Sequence, residues 1–389
     1  MIRTGLQVLL DRGFAPLAGL KVGVLTNPSA VDEDYRHLIG LMRDAGVRVQ
    51  VLFSPEHGLF STAQDMVPMN GVEVAGQEIR QISLYGESFD SLRPRPEDLG
   101  GLDVLVFDIQ DVGCRTYTYV WTLALAMGTA LKTRTPVVVL DRPNPITGAI
   151  VEGGGMEPRL KSFVGLYEVP NRHGMTAGEI ATLVARRLEF DLLEVVRLEG
   201  WRRDMWMEET GAPWVMPSPN MPTPQTALVF PGACMVEGTN LSEGRGTTRP
   251  FEIIGAPFVD GERLAAALNE EGLPGVRFRS LRFQPMFQKW AGQICGGIQI
   301  HVTDRREFLS VRTGLAVLRH ARALWPREFR WRTERYEFRD DVPAIDLLTG
   351  QARVREMIDA GAPVSEITSY LESTGGAARR MREDSLLYD

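Results

Sequence analysis

Short apolar runs alternate with stretches of helical spacing through the first half of the chain. Lys21-Val22-Gly23-Val24-Leu25 predicts a buried strand ending at Thr26-Asn27-Pro28, and 35–45 predicts a helix that stops at Gly46. Residues 48–53 predict the next strand, closing on Ser54-Pro55-Glu56-His57-Gly58, and 103–107 another, followed by Asp108-Ile109-Gln110-Asp111-Val112-Gly113. A helix is expected over 119–132, then a strand over 136–140 that runs into Asp141-Arg142-Pro143-Asn144-Pro145. Thr176 reads as the N-cap of a helix over 176–187, with Glu179 as its capping-box partner. Such alternation implies a parallel sheet covered on both faces. Ligands meet these sheets beyond the carboxyl ends of the strands. Polar clusters stand at those ends around Glu56, Asp111 and Asn144.

A proline-rich passage, Pro213 to Pro224, marks where the alternation weakens. Beyond Phe251 the pattern is mixed. Helices are expected near 262–271, 309–324, 344–360 and 365–373, with Gly375-Gly376 stopping the last, and strands near 276–283 and 297–302. The fold class is therefore α/β: a parallel-sheet domain over 1–235 that carries the catalytic groups, and a smaller α+β domain over 236–389 that completes the cleft.

At that junction lies Glu237-Gly238-Thr239-Asn240-Leu241-Ser242-Glu243-Gly244-Arg245-Gly246-Thr247-Thr248. It has no apolar face at either period, so it forms neither an amphipathic helix nor a half-buried strand. Its glycines permit tight turns and close approach of a ligand. The stretch reads as a polar binding wall.

Composition narrows the class. Across 389 residues, 44% hydrophobic and 24% charged content is ordinary for a folded enzyme, and a net charge of −7 argues against nucleic acid or an anionic membrane as partner. Cys114, Cys234 and Cys295 form neither a disulfide framework nor a zinc pattern. No apolar run approaches the roughly 18–20 residues of a membrane span. The start lacks the features of a leader. As written the sequence reads as cytoplasmic, or as exported if a signal peptide has been removed.

Glu56-His57, at a strand end, suits proton transfer. Asp108, Gln110, Asp111, Arg115, Tyr117 and Tyr119 follow another strand, where Arg115 either grips a carboxylate through its fork or pairs with Asp111. A metal site from Glu56, His57, Asp108 and Asp111 is an alternative, although no local ligand motif supports it. Asn144 lies in a rigid turn, and His173 precedes a helix whose free N–H groups suit a ligand's oxygens. His37, His301 and His320 read as structural. No dinucleotide fingerprint follows the first strand, and no Gly-x-Ser-x-Gly elbow surrounds any serine.

Taken together, Ser54–Gly58, 108–119, 140–145, Pro170-Asn171-Arg172-His173-Gly174-Met175-Thr176-Ala177-Gly178-Glu179, Pro217-Ser218-Pro219-Asn220-Met221-Pro222-Thr223 and 237–252 carry a resemblance over nearly the whole chain. The sequence resembles the bacterial exo-β-N-acetylmuramidases, peptidoglycan hexosaminidases long known only as a conserved family. One departure is Leu59-Phe60-Ser61, where the family pattern has an aromatic residue, Arg and Gly after His-Gly.

The resemblance implies a Rossmann-like amino-terminal domain, a cleft between domains, and release of N-acetylmuramic acid from non-reducing ends. It implies Glu56 as the general acid. Glycoside cleavage also needs a base, a nucleophile or the substrate's own acetamido group; Glu237, Glu243 and Asp111 are the contenders. Arg245 and Arg115 suit the lactyl carboxylate of muramic acid, and Tyr117, Tyr119 and Trp121 suit a sugar face. Substrate contacts are expected from His57, Gln110, Arg115, Tyr117, Asn144, His173, Asn220, Asn240, Ser242, Glu243, Arg245 and Thr247. No cofactor is required. Peptidoglycan-derived sugars or muropeptides are the expected partners, and a homodimer stays open. The competing class is a two-lobed sugar- or muropeptide-binding protein without turnover.

Overall fold

The computed structural model describes residues 1–59 and 79–389, so Phe60 and Ser61 of the departing segment lie outside the described residues. Strands β1 (Lys21–Thr26), β2 (Arg48–Ser54), β3 (Arg80–Ser83), β4 (Val104–Asp108), β5 (Val137–Leu140) and β6 (Leu193–Val196) form one sheet in the order β3-β2-β1-β4-β5-β6, with every pair parallel. That is the doubly wound arrangement, with its switch point between β1 and β4.

The alternation inside the central strands explains both covered faces. Leu25, Phe53, Leu105, Phe107, Val137 and Val139 point to one core, which takes the apolar sides of the helices Tyr119–Thr133 and Ala177–Leu188. Val22, Val24, Val104, Val106, Val138 and Leu140 point to the other, closed by the helices Gly5–Asp11 and Leu38–Asp44. Strands buried on both faces are apolar throughout, and β4 and β5 are buried along their whole length. Thr176 caps its helix as its sequence predicts, with Glu179 closing the reciprocal bond.

A second, antiparallel sheet orders β7 (Ile253–Ala256), β9 (Cys295–Val302) and β8 (Val276–Phe283). The helix Gly261–Glu270 packs on it, and the helix Ser310–Leu324 packs against that helix. The helix Pro224–Ala233, absent from the sequence pattern, crosses Ser310–Leu324 so closely that a Cβ on Gly232 would lie 1.9 Å from the Ser310 carbonyl. The boundary expected after residue 235 falls inside the short 3-10 turn Cys234–Gly238 that follows. The helix expected over 344–360 is two, Ala344–Thr349 and Ala352–Asp359, parted at Gly350, whose φ is 78°. Val364–Ser373 ends before Gly375-Gly376, and a further helix, Gly376–Glu383, begins there.

Buried charges stitch the domains together. Glu152 accepts the Ser310 and Val311 N–H groups, both at 3.0 Å, so a carboxylate of the first domain caps a helix of the second. Arg172 pairs with Glu152 at 3.1 Å. Among the described residues no helix is long and apolar enough to cross a membrane.

Candidate active site

The carboxyl ends of the strands are tied to one another before they meet any ligand. Arg142 clamps Asp108 through two nitrogens, at 2.5 and 3.0 Å. The proline-rich segment folds over these ends. The Pro217 carbonyl accepts from Asn27 Nδ2 at 2.9 Å and from the Tyr119 hydroxyl at 2.6 Å.

Beside this knot a cavity opens between the domains, enclosing about 590 Å³ with its mouth. Glu56 and His57 enter it from the turn after β2, Thr118 and Tyr119 from the start of the long helix, Ser218 and Asn220 from the proline-rich segment, and Glu237, Arg245 and Tyr336 from the second domain. His57 holds a left-handed backbone, φ 69°, an outlier of the kind that collects at functional sites. Glu56 is buried, and its Oε2 accepts from the Thr118 hydroxyl at 2.9 Å. Thr118 stands at the N-cap position of its helix with helical dihedrals and makes no side-chain capping bond, and its hydroxyl turns to Glu56 instead. Tyr119, Tyr117, Phe230 and Phe251 form an edge-to-face aromatic wall with centroids 5.0, 5.7 and 4.7 Å apart in turn.

The second carboxylate has different surroundings. Glu237 Oε1 accepts from Arg245 at 2.8 Å, and Oε2 from the Tyr336 hydroxyl at 2.8 Å. Burial pushes its carboxyl up. The Arg245 charge and hydrogen bond, Lys289 and Tyr336 together outweigh that and hold it below the ordinary carboxylate range. Arg245 also pairs with Glu243 at 3.3 Å and lies 5.2 Å over the Phe251 ring. Behind them Lys289 donates to the carbonyls of Val236, Glu237 and Leu241 and to Glu243, between 3.1 and 3.4 Å. One ammonium thus pins the first half of the polar wall.

The structure brings Glu56, His57, Tyr117, Asn220, Glu237 and Arg245 to one cavity. It spends the other expected site residues on holding the walls. Gln110 donates to the carbonyls of Asp111 and Pro143, and Asn144 bridges Met175 and Ile146. His173 takes the Met175 N–H on Nδ1, and its Nε2 lies 3.4 Å from Asp111, whose other contact is the Gly113 N–H. Arg115 is wholly buried and donates to the Leu348 and Val169 carbonyls, while Trp121, also wholly buried, donates to the Arg115 carbonyl. Asn240 straps residues 328 and 330, Ser242 takes the Gly244 N–H, and Thr247 donates to the Gly244 carbonyl. Glu243 backs Arg245. With Asp108 closed by Arg142, the four-residue metal set expected as an alternative does not assemble, and no metal-holding cluster occurs among the described residues. Sequence reasoning missed Thr118, Lys289 and Tyr336. Thr118 lay inside a motif already noted, whereas nothing local marks the other two.

Residues 22–225 match the family model described as "Exo-beta-N-acetylmuramidase NamZ, N-terminal", and residues 228–388 match its C-terminal counterpart. This chain belongs to that family. It is 40% identical over 391 residues to the "Peptidoglycan beta-N-acetylmuramidase NamZ" of Bacillus subtilis (strain 168), covering 100% of this chain and 91% of the relative. Two crystal structures of DUF1343 family proteins from Bacteroides fragilis NCTC 9343 share the fold, with TM-scores of 0.89 and 0.78 at 31% and 25% identity. Each is covered to 99%, and each match spans 100% of this chain. The two NamZ matches meet between residues 225 and 228, at the helix that packs on the second domain.

Proposed function

We propose that this protein is a glycosidase that releases terminal N-acetylmuramic acid from the non-reducing ends of peptidoglycan-derived glycans, with Glu56 as the proton donor and Glu237 as its ionised counterpart. One observation carries the assignment of roles. Two buried carboxylates from opposite domains face one cavity, and Glu237 is held in its charged form there by a guanidinium, a phenol and a nearby ammonium, which leaves the acid role to Glu56, whose Oε2 accepts from the Thr118 hydroxyl.

In the reaction, Glu56 gives its proton to the glycosidic oxygen as the bond to the anomeric carbon breaks. Glu237, ionised at the outset, either takes a proton from the entering water, acid and base then being reset through solvent, or stays charged and aligns the substrate's acetamido group, in which case Glu56 takes the water's proton in the second step. In both routes the water's oxygen ends bonded to the anomeric carbon. The aromatic wall offers the sugar an apolar face, and Arg245 presents a cation for the lactyl carboxylate while holding Glu237.

The test pairs a chromogenic β-N-acetylmuramide with the matching glucosaminide. The muramide is cleaved, and Glu56→Gln lowers kcat by about 10²–10⁴-fold with the fold intact. Cleavage of the glucosaminide alone, or tight binding of the muramide without turnover, refutes the reading. Near-normal activity of Glu56→Gln removes that residue from the acid role.

A further inference from the structure

A second groove opens behind the turn that carries Tyr336. Residues 336–339 reverse the chain through paired backbone bonds between Tyr336 and Arg339, at 2.8 and 2.9 Å. Glu337 and Phe338 at its apex both have positive φ, 46° and 67°. Side chains of that size hold such a conformation only where their surroundings dictate it. The surroundings here are two binding spaces. Tyr336 holds Glu237 in the cavity, Glu337 lines both cavity and groove, and Phe338 faces the groove.

The groove encloses about 910 Å³ with its open mouth. Its apolar surface comes from the half-buried rings of Phe89, Tyr167 and Phe338. Phe338 is fixed edge-on against Phe89, Phe163 and Tyr85, with centroids 6.0 to 6.3 Å apart. Lys161 sits 5.1 Å over the Tyr167 ring. Two polar atoms of lining residues are buried without a hydrogen-bond partner: Ser162 Oγ, in a side chain of a residue only 4% exposed, and Arg93 Nε. Buried polar atoms are normally paired. Aromatic faces beside unpaired polar atoms suit a sugar ring, which is apolar on its faces and carries hydroxyls at its edge. The Lys161 ammonium complements the lactyl carboxylate carried by each muramic acid of a glycan.

We propose that this groove is the aglycone subsite, taking the sugar residues on the leaving-group side of the scissile bond. The proposal rests on the muramidase reading, and its argument is that Glu337 lines both spaces, which places the groove directly beside the cavity.

The experiment compares two substrates: a peptide-free tetrasaccharide with muramic acid at its non-reducing end, and the β-fluoride of N-acetylmuramic acid, whose leaving group has no aglycone. In Tyr167→Ala the ratio of kcat/KM for the tetrasaccharide over that for the fluoride falls about fivefold, the scale of one aromatic contact. Lys161→Gln, at an exposed position, lowers the same ratio without risk to the core. Thermal unfolding checks both variants. Ratios that stay at the wild-type value in both variants overturn the proposal. Wild-type protein that cleaves neither substrate overturns the muramidase reading itself, and shows this before any variant is made.

Discussion

Tyr336→Phe removes one of the three groups that hold Glu237 in its charged form. It deletes one hydroxyl and leaves the ring, which keeps the Arg332 guanidinium 4.8 Å from its centroid. The lost bond is 2.8 Å long and ends on a carboxylate whose side chain is only 11% exposed, so little solvent screens it. A hydrogen bond to a charged group is worth about 1.5–3 kcal/mol, and the lower end applies because Arg245 and Lys289 remain. That corresponds to about tenfold in rate if the bond matters most in the transition state. The sign for acidity follows directly. Removing a donor disfavours the charged form, so the Glu237 carboxyl rises, and activity is lost at a higher pH on the acid side. The assay is kcat/KM for a chromogenic β-N-acetylmuramide across the acid limb, beside a thermal unfolding curve. A variant that is folded, with an unmoved acid limb and a rate within about twofold of wild type, refutes the ionised role of Glu237.

Other outcomes follow from the same contacts. Thr118→Val removes the donor to Glu56 in an isosteric side chain, and kcat falls about tenfold while KM changes little, read by steady-state kinetics on the muramide. Lys289→Met strands Glu243 and three carbonyls and lowers stability by about 2 kcal/mol in chemical denaturation, less than a fully buried pair because the ammonium is 22% exposed. Asp141 accepts from Tyr388, Thr176 and Gly178 and is fully enclosed; burial pushes its carboxyl up to about 6, from 3.8. Its folded-state proton affinity exceeds the unfolded one, so its contribution is favourable at low pH and is lost as pH rises between those values, by about 3 kcal/mol. The stability difference between wild type and Asp141→Asn, measured against pH, shows that slope; a flat difference contradicts it.

Much of the fold was legible because the central strands are buried on both faces. β1, β2, β4 and β5 appear as apolar runs at nearly their observed bounds. β3 and β6 escaped notice because they are short, lie at the sheet's edges and alternate only weakly. The helix Pro224–Ala233 was masked by Pro231 and Gly232, and Gly232 is what its close crossing requires. For the candidate site, residue chemistry singled out Glu56, Glu237 and Arg245, which the fold brings to one cavity, but it could not separate wall from lining. Arg115, Gln110 and Asn144 carry the same functional groups as ligand-binding residues. Their partners are backbone carbonyls, in Arg115's case 233 positions away. Tyr336 reaches the cavity, and Lys289 the wall behind it, from segments with no local motif, so only the folded geometry identifies them.

The Glu152 cap on the Ser310–Leu324 helix has a consequence for anyone recombining relatives of this protein. A chimaera joined near residues 225–228 transplants a helix whose first turn expects a foreign carboxylate, together with the arginine that neutralises it. Glu152, Arg172 and the Ser310 turn therefore travel as one unit of inheritance, although they are far apart in the gene. A crossover that pairs the Ser310 turn with a parent lacking this carboxylate leaves its two N–H groups unpaired and should lower stability even when each half comes from a well-behaved parent.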